Sequence, residues 1–409
     1  MKELDVVKRG TFALAIAGIL LIAPSGAVMA SPATEPDFEL KDLTESAGMG
    51  FGNYLNKYAW SMAYFKGHLY VGTLSTSPLS MSPVSVFPSI ASGAEIWRLE
   101  DETTDEWTKV LDLGDGSGDD QENIGFREMR EYNGKLYAGS FCMRARCGIW
   151  ESEDGLTWTK LKTFDGSSIR GSAVYDGKLF IGTSGVPEVW SFDGKDFTRI
   201  YSDEGANLIK TFAGFAVFED NLYFTEWSSY RQPLFRYDGE RVERVLELHD
   251  GHFMMTLEVF DGYLYIGSCG LPRAQSFYLK RSANPDDPDS WETIVGDDGI
   301  YPEGFGYRDN LYAWNMEEYE GRLYLGTLKF FGPAQLWVSD DGLNWEKIFE
   351  TDSRMQYGIR ELMATDDALF IGTAYNPLSP CMRDCGLQVF RFSSYEYTGG
   401  DNPVSNINS

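Results

Sequence analysis

One short segment is written seven times along this chain. Its copies are YFKGHLYVGT (64–73), EYNGKLYAGS (131–140), VYDGKLFIGT (174–183), VFEDNLYFTE (217–226), VFDGYLYIGS (259–268), EYEGRLYLGT (318–327) and ATDDALFIGT (364–373). Each runs from an apolar strand end through a Gly, Asn or Asp turn into a strand that alternates apolar and small residues. A turn between two period-2 apolar runs is a hairpin signal, because alternate strand residues face opposite sides of a sheet. The surroundings repeat as well. An apolar run precedes each copy, from YAWSMAYF (58–65) to YGIRELMA (357–364). A third run ending in an aromatic or apolar residue follows, as in AEIW (94–97), CGIW (147–150) and AQLW (334–337). A fourth, such as WTKL (158–161) or WEKI (345–348), closes most units after a turn.

Four short antiparallel strands per unit, repeated at a period of several tens of residues, specify the blades of a seven-bladed all-β propeller. Only six fourth strands lie between units. The segment FELKDL (38–43), ahead of the first unit, is expected to complete the last blade and close the ring, the competing donor being Tyr395–Tyr397. Closure removes exposed sheet edges. The propeller is therefore expected over residues 31–398, with 399–409 as a flexible tail. Turn positions Gly67, Gly134, Gly177, Asp220, Gly262, Gly321 and Asp367 set the spacing, and the two long intervals contain insertions at Ser75–Ser92 and Gly270–Gly306.

Residues 1–30 carry Lys2, Lys8 and Arg9, the apolar run Thr11–Ile22 and small residues before Ala30, the pattern of a secretory signal; an uncleaved anchor is the alternative. No later stretch is apolar enough to span a bilayer, so a secreted or periplasmic location is expected. The formal net charge is −27, with 62 acidic and 35 basic residues. That surface repels phosphate backbones, which argues against nucleic acid as a partner. In an oxidising compartment the close pairs Cys142/Cys147 and Cys381/Cys385 are expected as loop disulfides, with Cys269 a buried thiol. No metal site is expected from the cysteines and the three histidines, and no cofactor motif is present. The acidic stretch 112–123 has a calcium-like composition but lacks an EF-hand's Gly and Glu spacing.

Three turns read Ser152-Glu-Asp154-Gly155-Leu-Thr-Trp158, Ser191-Phe-Asp193-Gly194-Lys-Asp-Phe197 and Ser339-Asp-Asp341-Gly342-Leu-Asn-Trp345. They resemble the Asp-box of sialidase-type and related secreted propellers, one residue shorter. The resemblance implies architecture rather than catalysis, since in that family the motif folds the outer hairpin away from the active site.

Seven residues before each turn position stands a ring of equivalent residues: Trp60, Arg127, Arg170, Ala213, Met255, Trp314 and Arg360. The next residues include Ser61, Glu128, Asn315 and Glu361. These positions lie near the start of the innermost strand, by the central channel mouth. Three guanidiniums on one ring suit an anion, with which they form bidentate bonds; the alternative is that Arg127–Glu128 and Arg360–Glu361 are compensated pairs lining a wet channel. Trp60 and Trp314 are either sugar-stacking platforms or blade-packing residues. The fourth unit breaks the repeat at Thr225-Glu226-Trp227, making Glu226 a candidate acid/base and Tyr230 a candidate nucleophile or base. His252, placed by register near the channel mouth, is a further candidate for proton transfer; with His249 three residues earlier it could bind a metal or serve as a base, while His68 is expected on the surface. Arg144 and Arg146 add positive charge between the first cysteine pair. Serine-hydrolase elbow, Walker and zincin motifs are absent. The expected function is a binding module for a carbohydrate or small anion at the channel mouth. The alternatives are a carbohydrate-active enzyme, glycosidase or polysaccharide lyase, and a scaffold for an extracellular protein.

Overall fold

The computed structural model describes residues 38–76, 93–114, 122–142, 146–203, 210–227, 232–248, 251–270, 275–330 and 332–394. The described residues form 28 strands, arranged as seven antiparallel blades of four. Blade one consists of Asn56–Phe65, His68–Ser75, Glu95–Asp101 and Glu106–Asp112. The innermost strands of the other blades are Asn123–Tyr132, Ser168–Tyr175, Thr211–Phe218, Phe253–Phe260, Asn310–Tyr319 and Gln356–Ala364. The protein is a β-propeller, and the repeat-based assignment holds blade by blade. In blade five the third strand starts later than its sequence suggested, at Leu279. Among the described residues no helix is long and apolar enough to cross a membrane.

The ring closes as the strand count requires. Phe38–Asp42 pairs antiparallel with Val389–Ser394, setting Phe38 opposite Ser394 and Asp42 opposite Phe390. The Phe38 ring lies 4.8 Å from that of Phe392, so the N-terminal strand is held by side chains as well as by its ladder. Residues 395–397, the competing donor, lie outside the described residues.

Packing between blades, rather than within them, makes the core. One cluster joins Phe65 and Tyr70 of blade one to Phe126, Met129, Leu136 and Trp150 of blade two, and similar clusters fill other seams. The hairpin glycines permit the close approach. A Cβ at Gly139 would stand 2.6 Å from Ile169 of the next blade. The hydroxyl after that glycine then ties down the third strand. Thr73, Ser140, Thr183, Ser268, Thr327 and Thr373 each accept a backbone N–H from its start, at 2.8–3.3 Å. Six of the seven seams also carry a single backbone bridge, for example Leu74 to Gly125 and Ala374 to Tyr58. The blade four–five seam lacks one among the described residues, and there Thr225 replaces the glycine.

The Asp turns follow simple chemistry. Asp154 Oδ1 accepts from the N–H groups of Leu156 and Thr157 at 2.8 and 2.7 Å, and Asp341 does the same for Leu343 and Asn344. These bonds stabilise the ionised form, and both carboxyls fall to about 2.

The expected disulfides are absent: none of the five cysteines is disulfide-bonded. At Cys142 and Cys147 the backbone already does the stapling. Their N–H groups bond the Ser167 and Gly166 carbonyls at 2.7 and 2.8 Å. Cys269 is buried, and burial pushes its thiol up to about 12.

Candidate functional site

The same irregularity occurs in every innermost strand. The pairing register shifts between Ala59 and Ser61, Phe126 and Glu128, Ile169 and Gly171, Phe212 and Phe215, Met254 and Thr256, Ala313 and Asn315, and Ile359 and Glu361. A bulge inserts an unpaired residue and re-aims its side chain. In a regular strand Arg127 and Glu128 would face opposite sides of the blade. The bulge lets both serve the axis, and the same holds for Arg360 and Glu361.

The axis is a cavity of about 510 Å³ lined by Arg127, Glu128, Arg170, Trp314, Arg360 and Glu361, among others. Its lining continues past Arg130, Glu258 and Glu317 to Tyr64, Glu131 and Val174 beside the hairpin turns. Arg130, Glu131 and Val174 are exposed. At the strand-start end, Tyr58, Trp60, Trp314 and Tyr357 are at most 8% exposed and pack as one apolar cluster. The cavity is therefore approached from the hairpin side, and the arginines lie deep in it rather than at its mouth.

Each arginine is stacked on a tryptophan of an adjoining blade. The guanidinium carbons of Arg127, Arg170 and Arg360 lie 4.9, 4.2 and 5.4 Å from the ring centroids of Trp60, Trp227 and Trp314. Trp60 and Trp314 also press on the next blade, where a Cβ at Gly125 or Gly358 would lie 2.5 or 2.2 Å from the indole. Their faces are taken by arginine and backbone.

Charge is compensated unevenly. Arg360 Nη1 donates to Glu361 Oε2 at 3.1 Å. Arg170 Nη2 donates to the Met255 sulfur at 3.1 Å. Arg127 has neither ion pair nor hydrogen bond among the described residues, and its Nε is buried without a partner. Burial, followed by the charges of Arg170 and Arg360, holds Arg127 well below the ordinary arginine value. Burial and Arg360 bring Arg170 to about 9. A guanidinium stays protonated in a protein, so these directions express lost hydration and mutual repulsion that a bound anion would relieve.

A second layer lies nearer the hairpin side, reached by counting two residues along each strand from Glu128 and its equivalents. It contains Arg130, Glu258 and Glu317. Glu128 accepts from Ser172 Oγ at 2.6 Å, and Arg130 Nε donates to the same hydroxyl at 3.1 Å. Glu317 accepts the Ala364 N–H at 3.1 Å. Burial pushes Glu361 and Glu258 up to about 8 and Glu317 to about 7, with the Glu317 charge adding to the rise at Glu258. Burial also raises Glu128, against Arg130 and the Ser172 bond. Glu258 and Glu317 escaped the sequence reading, although the strand's two-residue period from the Glu128 ring points to them.

Other candidates lie elsewhere. Glu226 is 3% exposed, outside the cavity lining, at the place where the other hairpins have their strand-tying hydroxyl; Lys210 Nζ lies 3.8 Å away. His252 is also outside it, with Nε2 2.8 Å from the Ser276 carbonyl and its ring against Tyr278. His68 Nδ1 bonds the Leu99 carbonyl at 2.9 Å. Tyr230, His249, Arg144 and most of the acidic stretch 112–123 fall outside the described residues. No group of three or more metal-binding side chains occurs among the described residues.

No protein-family model and no curated protein matches the chain. Similar solved structures are propellers. A structure titled YCF48 bound to D1 peptide superposes with a TM-score of 0.55 at 12% identity, covering 91% of this chain and 100% of that one. A GH74 enzyme of Niastella koreensis gives 0.47 at 14% identity over 72% of this chain and 46% of that one. At such identities the likeness establishes the fold alone.

Proposed function

We infer that this propeller is a binding module whose axial cavity receives a carboxylate-bearing small molecule, a sugar acid being the class that fits the cavity's size and polarity. The observation that carries this reading is the Arg127 guanidinium, its Nε buried and none of its nitrogens paired among the described residues, beside Arg170, which also lacks a carboxylate partner among them. A buried charge without a counterion is costly, and a ligand carboxylate supplies the missing charge with bidentate geometry. The secretory pattern of residues 1–30 supports an exported protein acting on extracellular material, and the Asp turns support kinship with secreted propellers. N-terminal sequencing of the mature protein tests the first point.

Calorimetric titration with glucuronate, N-acetylneuraminate, glucose and galactose tests the ligand class. The acids should bind and the neutral sugars should not. Arg127→Gln should abolish binding while leaving the circular dichroism spectrum unchanged. Equal binding of neutral sugars, or unaltered binding by Arg127→Gln, overturns the reading.

One observation favours a second reading, a carbohydrate-active enzyme. Glu361, Glu258 and Glu317 share the cavity with the arginines and hold protons near neutrality, the property a general acid needs. Mass spectrometry of uronate-containing and sialylated glycans after incubation separates the two. Shortened products, lost on replacing these glutamates, would establish catalysis.

A further inference from the structure

A second cluster lies away from the axial cavity, in the loop between the second and third strands of blade seven. Lys57, in the innermost strand of blade one, is 1% exposed and has no carboxylate partner among the described residues. Its ammonium sits 4.9 Å from the Tyr375 ring centroid and 5.8 Å from that of Tyr54. Among the described residues its hydrogen-bond acceptor is the Cys385 sulfur, at 3.8 Å. Cys385 is 1% exposed, whereas Cys381 is half-buried and its neighbour Met382 is 71% exposed. Both thiols lie in this loop, and the Cys381 thiol donates to the Arg383 carbonyl at 2.9 Å.

A buried ammonium is tolerated when an anion faces it, and among the described residues the acidic groups against it are these two thiols and the phenols of Tyr375 and Tyr54. Blade two offers an internal comparison. Its loop, Cys142 to Cys147, also joins the second and third strands, but across that seam Ser168 stands where Tyr58 does, so Ser167 takes the place of Lys57, and both thiols are buried. Burial, with the Cys142 thiol adding to it, pushes Cys147 up to about 12. At Cys381 burial acts in the same direction, yet the bonds from Cys385, the Arg383 backbone and Tyr375, with the charge of Lys57 adding least, bring the thiol below its ordinary value. Burial raises Cys385 to about 11.

We propose that Cys381 and Cys385 form a thiol–disulfide exchange site for small or peptidyl disulfides, with Lys57 as the buried positive charge that lies against Cys385 and favours ionisation of the thiol pair. The Cys381 thiolate attacks one sulfur of the substrate disulfide, forming a mixed disulfide and expelling the other sulfur, which takes a proton from solvent. Cys385 loses its proton to solvent and attacks the Cys381 sulfur, expelling the second substrate thiol. Two protein thiols are oxidised to one disulfide, and one substrate disulfide is reduced to two thiols. Half-exposed Cys381 is the attacking group and buried Cys385 the resolving one.

The reduced full-length protein mixed with dithiobis(nitrobenzoate), itself a disulfide, tests this by stopped flow and intact mass. The wild type should release two thionitrobenzoates in a fast phase, end two mass units lighter, and retain no adduct. Cys385→Ser should release one and retain the adduct on Cys381, and Cys381→Ser should lose the fast phase. Lys57→Met should slow attack about tenfold, the change in thiolate fraction for one pKa unit. Lys57→Arg should restore most of the rate. The rate–pH midpoint, with Cys385, Tyr375, Lys57, Arg383 and Asp384 the titratable groups nearby, should lie below that of a free thiol in the wild type only. A wild-type rate no faster than that of N-acetylcysteine, or a retained adduct, overturns the proposal. An unchanged midpoint in a folded Lys57→Met removes the role of the lysine.

Discussion

Glu361→Gln should make the protein's stability less dependent on pH in a defined window. Burial holds the Glu361 carboxyl at about 8 when folded, whereas an exposed glutamate ionises at its ordinary value of 4.5. Between those values the folded state binds more protons than the unfolded one, so stability falls as pH rises. The contribution is fully present below 4.5 and exhausted above about 8. At roughly 1.4 kcal/mol per pKa unit, the ceiling is about 5 kcal/mol. The Glu361 side chain is 20% exposed to the cavity and bonded to Arg360. Channel water and that bond soften the cost of ionisation, and about 2–3 kcal/mol is the expected loss between pH 5 and 9. The glutamine keeps an acceptor for Arg360 and cannot ionise, so the difference between wild type and variant isolates this group. The general charge repulsion of a chain at −27 is largely common to both. Urea unfolding at half-unit pH steps measures it. A wild-type minus variant difference that stays flat between pH 5 and 9, or rises with pH, would refute the burial argument.

Three further outcomes follow from packing and charge. Gly342→Ala places a methyl 1.8 Å from Tyr265 Oη at a φ of +69°, and should cost about 3 kcal/mol in denaturant unfolding through left-handed strain plus overpacking. Phe38→Ala/Leu40→Ala removes two half-buried side chains from the ring-closing strand. It should cost about 2–3 kcal/mol, with hydrogen exchange accelerating first at Val389–Ser394. Arg127→Gln should raise the thermal midpoint of the unliganded protein by relieving an uncompensated charge while abolishing acid binding, so stability and binding move in opposite directions.

The sequence by itself determined the architecture, because that information is local and repeated. The seven hairpin copies fix strand direction and facing, and the missing seventh outer strand identifies Phe38–Asp42 as the closing element before any contact is known. The arginine ring could be counted out for the same reason, since equivalent positions in a closed ring point to one axis. What the chain did not disclose depends on long-range geometry. The bulge that brings both Arg127 and Glu128 to the axis leaves no residue signature, as Trp, Arg, Ala and Met all occupy it in different blades. The depth of the arginines is set by the aromatic cluster of Tyr58, Trp60, Trp314 and Tyr357, assembled from blades one, six and seven. Glu226 looked chemical because it breaks a pattern and His252 because register set it near the channel mouth, but tertiary packing buries both outside the cavity lining. Lys57 reads as one more strand residue until ring closure carries blade seven's thiols onto it across more than 300 positions of sequence. Local periodicity dictates the blades; only the closed ring, which sets distant strands side by side, decides which charges are buried together and what they lack.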